Sequence, residues 1–256
     1  MHELPLLTRA LPGVRGRTRA TPEDFRVEEI PAYLPSGDGD HTYVLFEKRA
    51  LTTRDALERI ARALRVNPRD IGYAGLKDRH AVTVQWASLP KVDPAAVRAL
   101  DLPGVRVLDV SRHRNKLRTG HLHGNRFVLR VTEIDDVGLA FSNTTAIASV
   151  LRKHGCPNYY GDQRFGREGD NASRGLAWLR GEGPAPREHF QRKLMASAAQ
   201  SELYNRYLAA RVADGLLDRY VPGDLAVRHP VGGPWPVDAS EAEALYESHA
   251  ASATGP

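Results

Sequence analysis

The sequence predicts an α+β fold, a mixed or antiparallel sheet followed by a helix-rich second half, and three observations predict it. The 256 residues exceed what one hydrophobic core usually serves, so two domains or one large one are expected. Over residues 1–135, short runs of alternating apolar and polar residues are interleaved with isolated helical patterns. Beyond them, apolar residues recur at helical spacing over long spans. A chain that is 41% hydrophobic and 26% charged has the composition of an ordinary folded protein, which excludes a disordered tail, a collagen or a membrane bundle.

In Pro22 to Pro31, apolar Phe25 and Val27 alternate with charged neighbours, as a half-buried strand requires. Ser36-Gly37-Asp38-Gly39-Asp40 is turn material without the ligand run of a calcium loop, and Thr42 to Phe46 reads as the next strand. Thr52 with Asp55 forms a capping box, after which Leu57, Ile60, Ala61 and Leu64 keep helical spacing until Asn67-Pro68. Ile71-Gly72-Tyr73 is extended, Gly75 to His80 is a charged loop, and Val82, Val84 and Trp86 alternate with Ala81, Thr83 and Gln85. Asp93-Pro94 opens a short helix, and Val105 to Val110 and Phe127 to Ile134 are further strands. Thr145 to His154 is a helix closed by Gly155 and Pro157. Phe190, Leu194, Ala198, Ser201, Leu208 and Val212 mark a long helical stretch. Ser240 with Glu243 begins a last helix, leading into Ala251 to Pro256, a tail with no closing element. The composition shift near Leu151 to Asn158 places the expected boundary there.

Lys and Arg total 36 against 31 Asp and Glu, a net charge of +5 with a pI of about 9.4, which fits a polyanionic partner. The single cysteine, Cys156, excludes an intramolecular disulfide and a multi-cysteine zinc site, so a reducing, cytoplasmic setting is expected and Cys156 is expected only to pack. Met1-His2-Glu3-Leu4-Pro5, followed by Arg9 and Pro12, lacks the continuous apolar segment of a secretory signal. No apolar run approaches the about 18 residues a membrane span needs. Gly-rich motifs for nucleotide hydrolysis or dinucleotide binding are missing as well.

Three stretches carry chemistry. In Gly72 to Thr83, Asp78 lies between Lys77 and Arg79, whose field favours an ionised carboxylate if the side chains converge. An exposed loop with solvated charges is the bland alternative. From Val110 to Thr132 there is no acid, while Arg112, Arg114, Lys116, Arg118, Arg126 and Arg130 are cationic, the pattern of a phosphate-binding path ending at the stackable Phe127. A solvated basic loop competes with that reading. Within it, His121 and His123 have no evident third metal ligand, so no metal site is expected. Pro157 to Asn171 packs aromatics, glycines and arginines together, suited to unstacked nucleotides or to a rigid turn anchored by buried rings.

Together these stretches resemble the TruD family of tRNA pseudouridine synthases. The residues that carry the resemblance are Pro22-Glu23-Asp24-Phe25, Glu47-Lys48-Arg49, Ala74-Gly75-Leu76-Lys77-Asp78-Arg79-His80-Ala81-Val82-Thr83, Gly124-Asn125-Arg126-Phe127 and Asn158-Tyr159-Tyr160-Gly161-Asp162-Gln163-Arg164-Phe165-Gly166. Ser201 to Asn205 and Pro222-Gly223-Asp224 extend it. The resemblance implies a catalytic pseudouridine-synthase domain over 1–150 and a helix-rich inserted TRUD domain over 151–256, incomplete at its C-terminus because family chains continue past such a Thr254-Gly255-Pro256. It implies isomerisation of a tRNA uridine, the family target being uridine-13, by a monomer with no cofactor.

By the same resemblance the catalytic aspartate falls on Asp78 and substrate contacts on Phe25, Asn125 and Phe127. Lys77, Arg79, Arg112, Arg114 and Lys116 are expected to bind the RNA, with Lys77 or Arg79 pairing with Asp78 or a phosphate. Where the family often has a lysine two residues before the Pro22-Glu23-Asp24-Phe25 run, the nearest position here is Arg19 or Ala20. Two other classes compete: a non-catalytic RNA-binding protein or chaperone, and a carboxylate glycosidase whose second acid would come from Glu23, Asp24, Glu28 or Asp162.

Overall fold

The computed structural model describes residues 4–228, 234–236, 238–248 and 251–255. Met1, His2 and Glu3 of the N-terminal reading, and Pro256 of the tail, lie outside the described residues. The chain divides into two units, Arg15–Val137, and Met1–Val14 with Gly138–Pro256. Composition alone pointed to a division near Leu151.

The first unit runs β1 (Arg17–Thr18), β2 (Phe25–Pro31), β3 (His41–Arg49), α1 (Thr53–Leu64), β4 (Gly72–Tyr73), β5 (Val82–Pro90), α2 (Pro94–Arg98), β6 (Val105–His113), β7 (Leu122–Leu129) and β8 (Val131–Thr132). Its six-stranded sheet has the order β6-β3-β5-β2-β7, with β4 also on β5. The sheet is mixed: β2 and β5 are parallel, and the other pairs are antiparallel.

α1 begins where the sequence places it. Thr52 Oγ1 accepts from the Asp55 amide at 3.1 Å, and the Asp55 carboxylate accepts from the Thr52 amide, which satisfies two of the donors a helix start leaves open. Ala56, Leu57, Ile60 and Ala61 turn inward and pack on Val44, Phe46, Ala87 and Leu89 of the sheet. Burying side chains the size of Leu57 and Ile60 contributes about 1.5–3 kcal/mol each. The chain leaves α1 through Arg65 in the left-handed region. Gly72 has to be glycine, because a Cβ there would overlap the Leu117 carbonyl.

Registers define which side chains share a face. Directly opposed residues in a sheet point the same way. Lys48 opposes Thr83, Thr83 opposes Val27, and Val27 opposes Phe127, so these four form one row. Phe46, Gln85, Glu29 and Asn125 lie one row along, on the same face. α1 covers that face over β3 and β5. Over β7 it stays open, where Phe127 is 61% and Leu129 50% exposed, whereas Phe25, Val27 and Glu29 of β2 are buried. The opposite face carries the ion pairs of Arg26 with Glu28 and Glu47, and of Arg126 with Glu28.

In the second unit, α3 (Val137–His154) starts earlier than its sequence pattern, and α4 (Asn171–Leu179) was not anticipated from the sequence. α5 (His189–Ala213) realises the long helical stretch; β9 (Leu225–Arg228), β10 (Pro234–Pro236), α6 (Ala239–Glu247) and β11 (Ala251–Gly255) follow. The tail expected to lack a closing element instead forms β11, antiparallel to β9. Cys156, expected to pack, is exposed, since it follows the helix stop at Gly155. Among the described residues no helix is long and apolar enough to cross a membrane.

Candidate active site

Asp78 lies in the loop between β4 and β5, and that loop is held from beneath at Gly75, Lys77 and Asp78. Gln85 Nε2 donates to the Gly75 carbonyl at 3.2 Å. The Lys77 amide donates to Thr53 Oγ1 at 2.9 Å, and Thr53 Oγ1 in turn donates to Gln85 Oε1 at 3.0 Å. Lys48 Nζ donates to the Asp78 carbonyl at 2.7 Å and to the Leu51 carbonyl at 2.7 Å. Thr53, Gln85 and Lys48 are all buried, so the main chain is fixed by groups shielded from water, where a hydrogen bond left unmade costs about 1–3 kcal/mol. The Asp78 side chain itself is exposed and forms no ion pair among the described residues.

The placement of Lys77 corrects its expected role. Its Nζ lies 2.6 Å from Glu29 Oε2, with both side chains almost fully buried, and Glu29 Oε1 also accepts from the Trp86 amide. Lys77 therefore neither pairs with Asp78 nor reaches a phosphate. Its ammonium is consumed in holding the loop to β2. Arg79 is exposed and remains a candidate contact.

The aromatic expectations converge. The Phe25 and Phe127 rings stack with centroids 6.0 Å apart and planes at 4°. Phe25 also packs on Val27 and Ala81, three residues beyond Asp78. The Arg19 guanidinium sits 4.1 Å above the Phe25 ring, a cation–π geometry that places a positive charge beside the stack. Asn125 Oδ1 is buried without a partner among the described residues. Asp78 is tied to the row Lys48-Thr83-Val27-Phe127, and Thr83 and Phe127 are two strand spacings apart, roughly 10 Å. Phe25, Asn125 and Phe127 thus share one sheet face, and the loop that carries Asp78 meets it at Ala81, beside Phe25.

The basic stretch does not join them. Arg112 opposes Thr42 and His113 opposes His41, the end of β3 away from Lys48. Arg114 is paired with Asp38 at 2.7 Å, and Lys116 Nζ donates to the Arg69 carbonyl. At the other end Arg126 serves Glu28, and Arg130 serves Asp24 at 2.6 Å. The continuous cationic path expected from Arg112 to Arg130 is therefore broken, because alternation sends Arg126 to the opposite face and Arg130, at the Phe25 end of the sheet, is paired with Asp24.

The candidate second carboxylates are occupied as well. Glu23 is bound by Arg49 and Glu28 by Arg26, each held below the usual carboxylate range by that hydrogen bond. Asp24, 2% exposed, is lowered first by the Thr21 amide and then by Arg130. It ties the entry of β2 to the exit of β7. Asp162 belongs to the other unit. There, Tyr160 exchanges two main-chain hydrogen bonds with the Asn205 amide, Arg164 is held by Ser197 and Ser201, and Phe165 is buried, so the Pro157 to Asn171 stretch is an anchored turn.

Glu29, Thr53, Gln85 and Thr83 were not singled out from the sequence. The signal was there: Thr42, Val44, Phe46 and Lys48 share one strand phase, as do Ala81, Thr83, Gln85 and Ala87, so polar groups fall at core-facing positions.

Known proteins resemble this chain along most of its length. A family profile described as tRNA pseudouridine synthase D (TruD) matches residues 2–182. The curated tRNA pseudouridine synthase D of Anaeromyxobacter sp. (strain Fw109-5) is 51% identical over 239 residues, which are 91% of this chain and 67% of that protein. A corresponding protein of Thermus thermophilus is 46% identical over 254 residues, covering 98% of this chain and 70% of that one. A solved structure of a TruD from Methanosarcina mazei superposes with a TM-score of 0.78 at 23% identity, over 96% of this chain and 74% of that chain, which shows a shared fold.

Proposed function

The chain belongs to the tRNA pseudouridine synthase D (TruD) family, and on that premise we propose that it isomerises a uridine of tRNA, uridine-13 being the target, with Asp78 as the reactive carboxylate. The observation that carries this reading is the exposed Asp78 carboxyl group on a rigidly held loop, which runs into Ala81, packed against Phe25, whose ring stacks with the exposed Phe127.

Pseudouridine formation breaks the N-glycosidic bond, turns the freed uracil and rejoins it to the ribose through carbon. There is no net redox change and no hydrolysis, so the chemistry asks for no cofactor. Asp78 either attacks C1′ or removes the 2′ proton to give a glycal; both routes need a carboxylate at the ribose. The base must leave its stack to be reached, and the exposed ring of Phe127 offers it a surface. Asn125 Oδ1, lacking a protein donor, suits the uracil N3–H. Arg19 and Arg79 would meet the flanking phosphates. In this reading residues 1–150 supply the catalytic domain and 151–256 an inserted domain that helps hold tRNA, with the protein acting as a monomer in the cytoplasm.

The test is tritium release from tRNA carrying 5-tritiated uridine, since rejoining through carbon 5 expels that hydrogen. Asp78→Ala is expected to abolish release while tRNA affinity stays within a few-fold. Turnover retained in that variant overturns the assignment. Free uracil would point to a glycosidase, and tRNA binding by the native chain without release would point to a binding protein.

A further inference from the structure

We propose that Lys48 is the positioning residue for Asp78, anchoring the reactive carboxylate through its own main chain. The inference rests on Asp78 being the reactive group and goes beyond it, since Lys48 is screened from substrate. It is completely buried on β3, between Thr83 of β5 and Val105 of β6. A lysine side chain surrenders much rotamer freedom to be buried, and its charge is costly away from water. Placing one there for structure alone is poor economy when an apolar residue of similar length fills the same space.

What the ammonium does is specific. Its two described acceptors are the Leu51 carbonyl, just before α1, and the Asp78 carbonyl, both at 2.7 Å. It therefore ties the α1 entry to the main chain of the loop residue that carries the exposed carboxylate. Charge-assisted bonds of this length are roughly twice as strong as neutral ones. Thr53 and Glu29 fix the preceding Lys77 through its amide and its side chain, but among the described residues only Lys48 bonds to Asp78 itself.

The charged groups facing Lys48 are Asp78 and Lys77 from the loop and Asp55 from α1; its neighbours across β5 and β6 are uncharged. Burial pulls its pKa down to about 8, against the raising effect of Asp78, with Lys77 pulling down and Asp55 up. Near neutral pH the anchor carries its charge, and above about 8 it becomes a neutral amine with weaker bonds. The loss of that charge is read in turnover and not in RNA affinity.

The experiment compares kcat, tRNA Kd and melting temperature of Lys48→Met with the native chain, with Asp78→Asn alongside. Lys48→Met is expected to lower kcat about 10²-fold, the scale of a 1 Å misplacement of a reacting group, while Kd and melting temperature hold. The native kcat is expected to fall as pH rises through about 8 with Kd flat, and this limb is expected to vanish in Lys48→Met. Native kcat in Lys48→Met, or a loss of kcat matched by a loss of Kd and melting temperature, overturns the proposal. Should Lys48→Met not fold, the native profile decides alone: a kcat level from pH 7 to 9.5 overturns it. Turnover surviving in Asp78→Asn sinks the assignment of Asp78, whereas turnover surviving only in Lys48→Met sinks the anchor.

Discussion

Two loops of the sheet unit look alike in sequence and differ in what they present. Gly75 to His80 and Arg114 to His121 are both short, cationic and glycine-containing. The first is held by buried donors and acceptors, from Thr53, Gln85 and Lys48, that grip its main chain, and it presents one exposed carboxylate. The second is gripped from beneath too: Ser88 Oγ accepts from the Leu117 amide, Tyr43 OH donates to the Asn115 carbonyl and the Leu117 side chain is buried. Arg114 pairs with Asp38 at the surface, and what this loop presents is cations and no carboxylate. The difference teaches that neither density of charge nor support beneath the main chain marks a reactive loop by itself. An exposed carboxylate on such a support does, because a reacting group must be held within a fraction of an ångström, while a phosphate contact tolerates movement.

The contrast can be broken most directly at Asp78. Asp78→Asn keeps the shape and removes the charge, and kcat for tritium release is expected to fall by about 10³ or more, as for loss of a catalytic nucleophile or base. Next comes the support. Glu29→Ala leaves Lys77 buried without its partner, and urea unfolding should show a loss of about 3–5 kcal/mol, with turnover falling in proportion to the loosened loop. Phe127→Ala is expected to leave the melting point unchanged, since the ring is exposed, and to cost about 1–3 kcal/mol in kcat/KM through lost base stacking. The smallest effect is expected in the second loop. Arg114→Ala or Lys116→Ala should weaken tRNA binding a few-fold, reduce the slope of log Kd against log salt by about 1, and leave kcat alone. A large kcat effect in either would bring that loop into the reacting site and dissolve the contrast.

Much of this was legible beforehand for identifiable reasons. Thr52 and Asp55 declare a helix start by their own hydrogen bonds, and α1 forms there. Val82, Val84 and Trp86 declare a strand by phase, and β5 spans them. The reach of β7 back to Leu122 was not legible, because Leu122 to Asn125 has little apolar alternation and pairs only because β2 offers an edge. That pairing brings Asn125 onto the face of Phe25. Lys77 misled for a related reason: next to Asp78 in sequence, it points down to Glu29, 48 residues away.

By itself the sequence determined the element types of the sheet unit, the family and the residue types of the site, since caps, turns and alternation are local properties of neighbouring residues. Only the tertiary structure decided which of those charges are free to act. Lys48, Lys77, Asp24 and Glu29 look like surface charges in the chain and become buried supports in the fold, because cross-strand register, which no local pattern encodes, chooses the partner that meets each one.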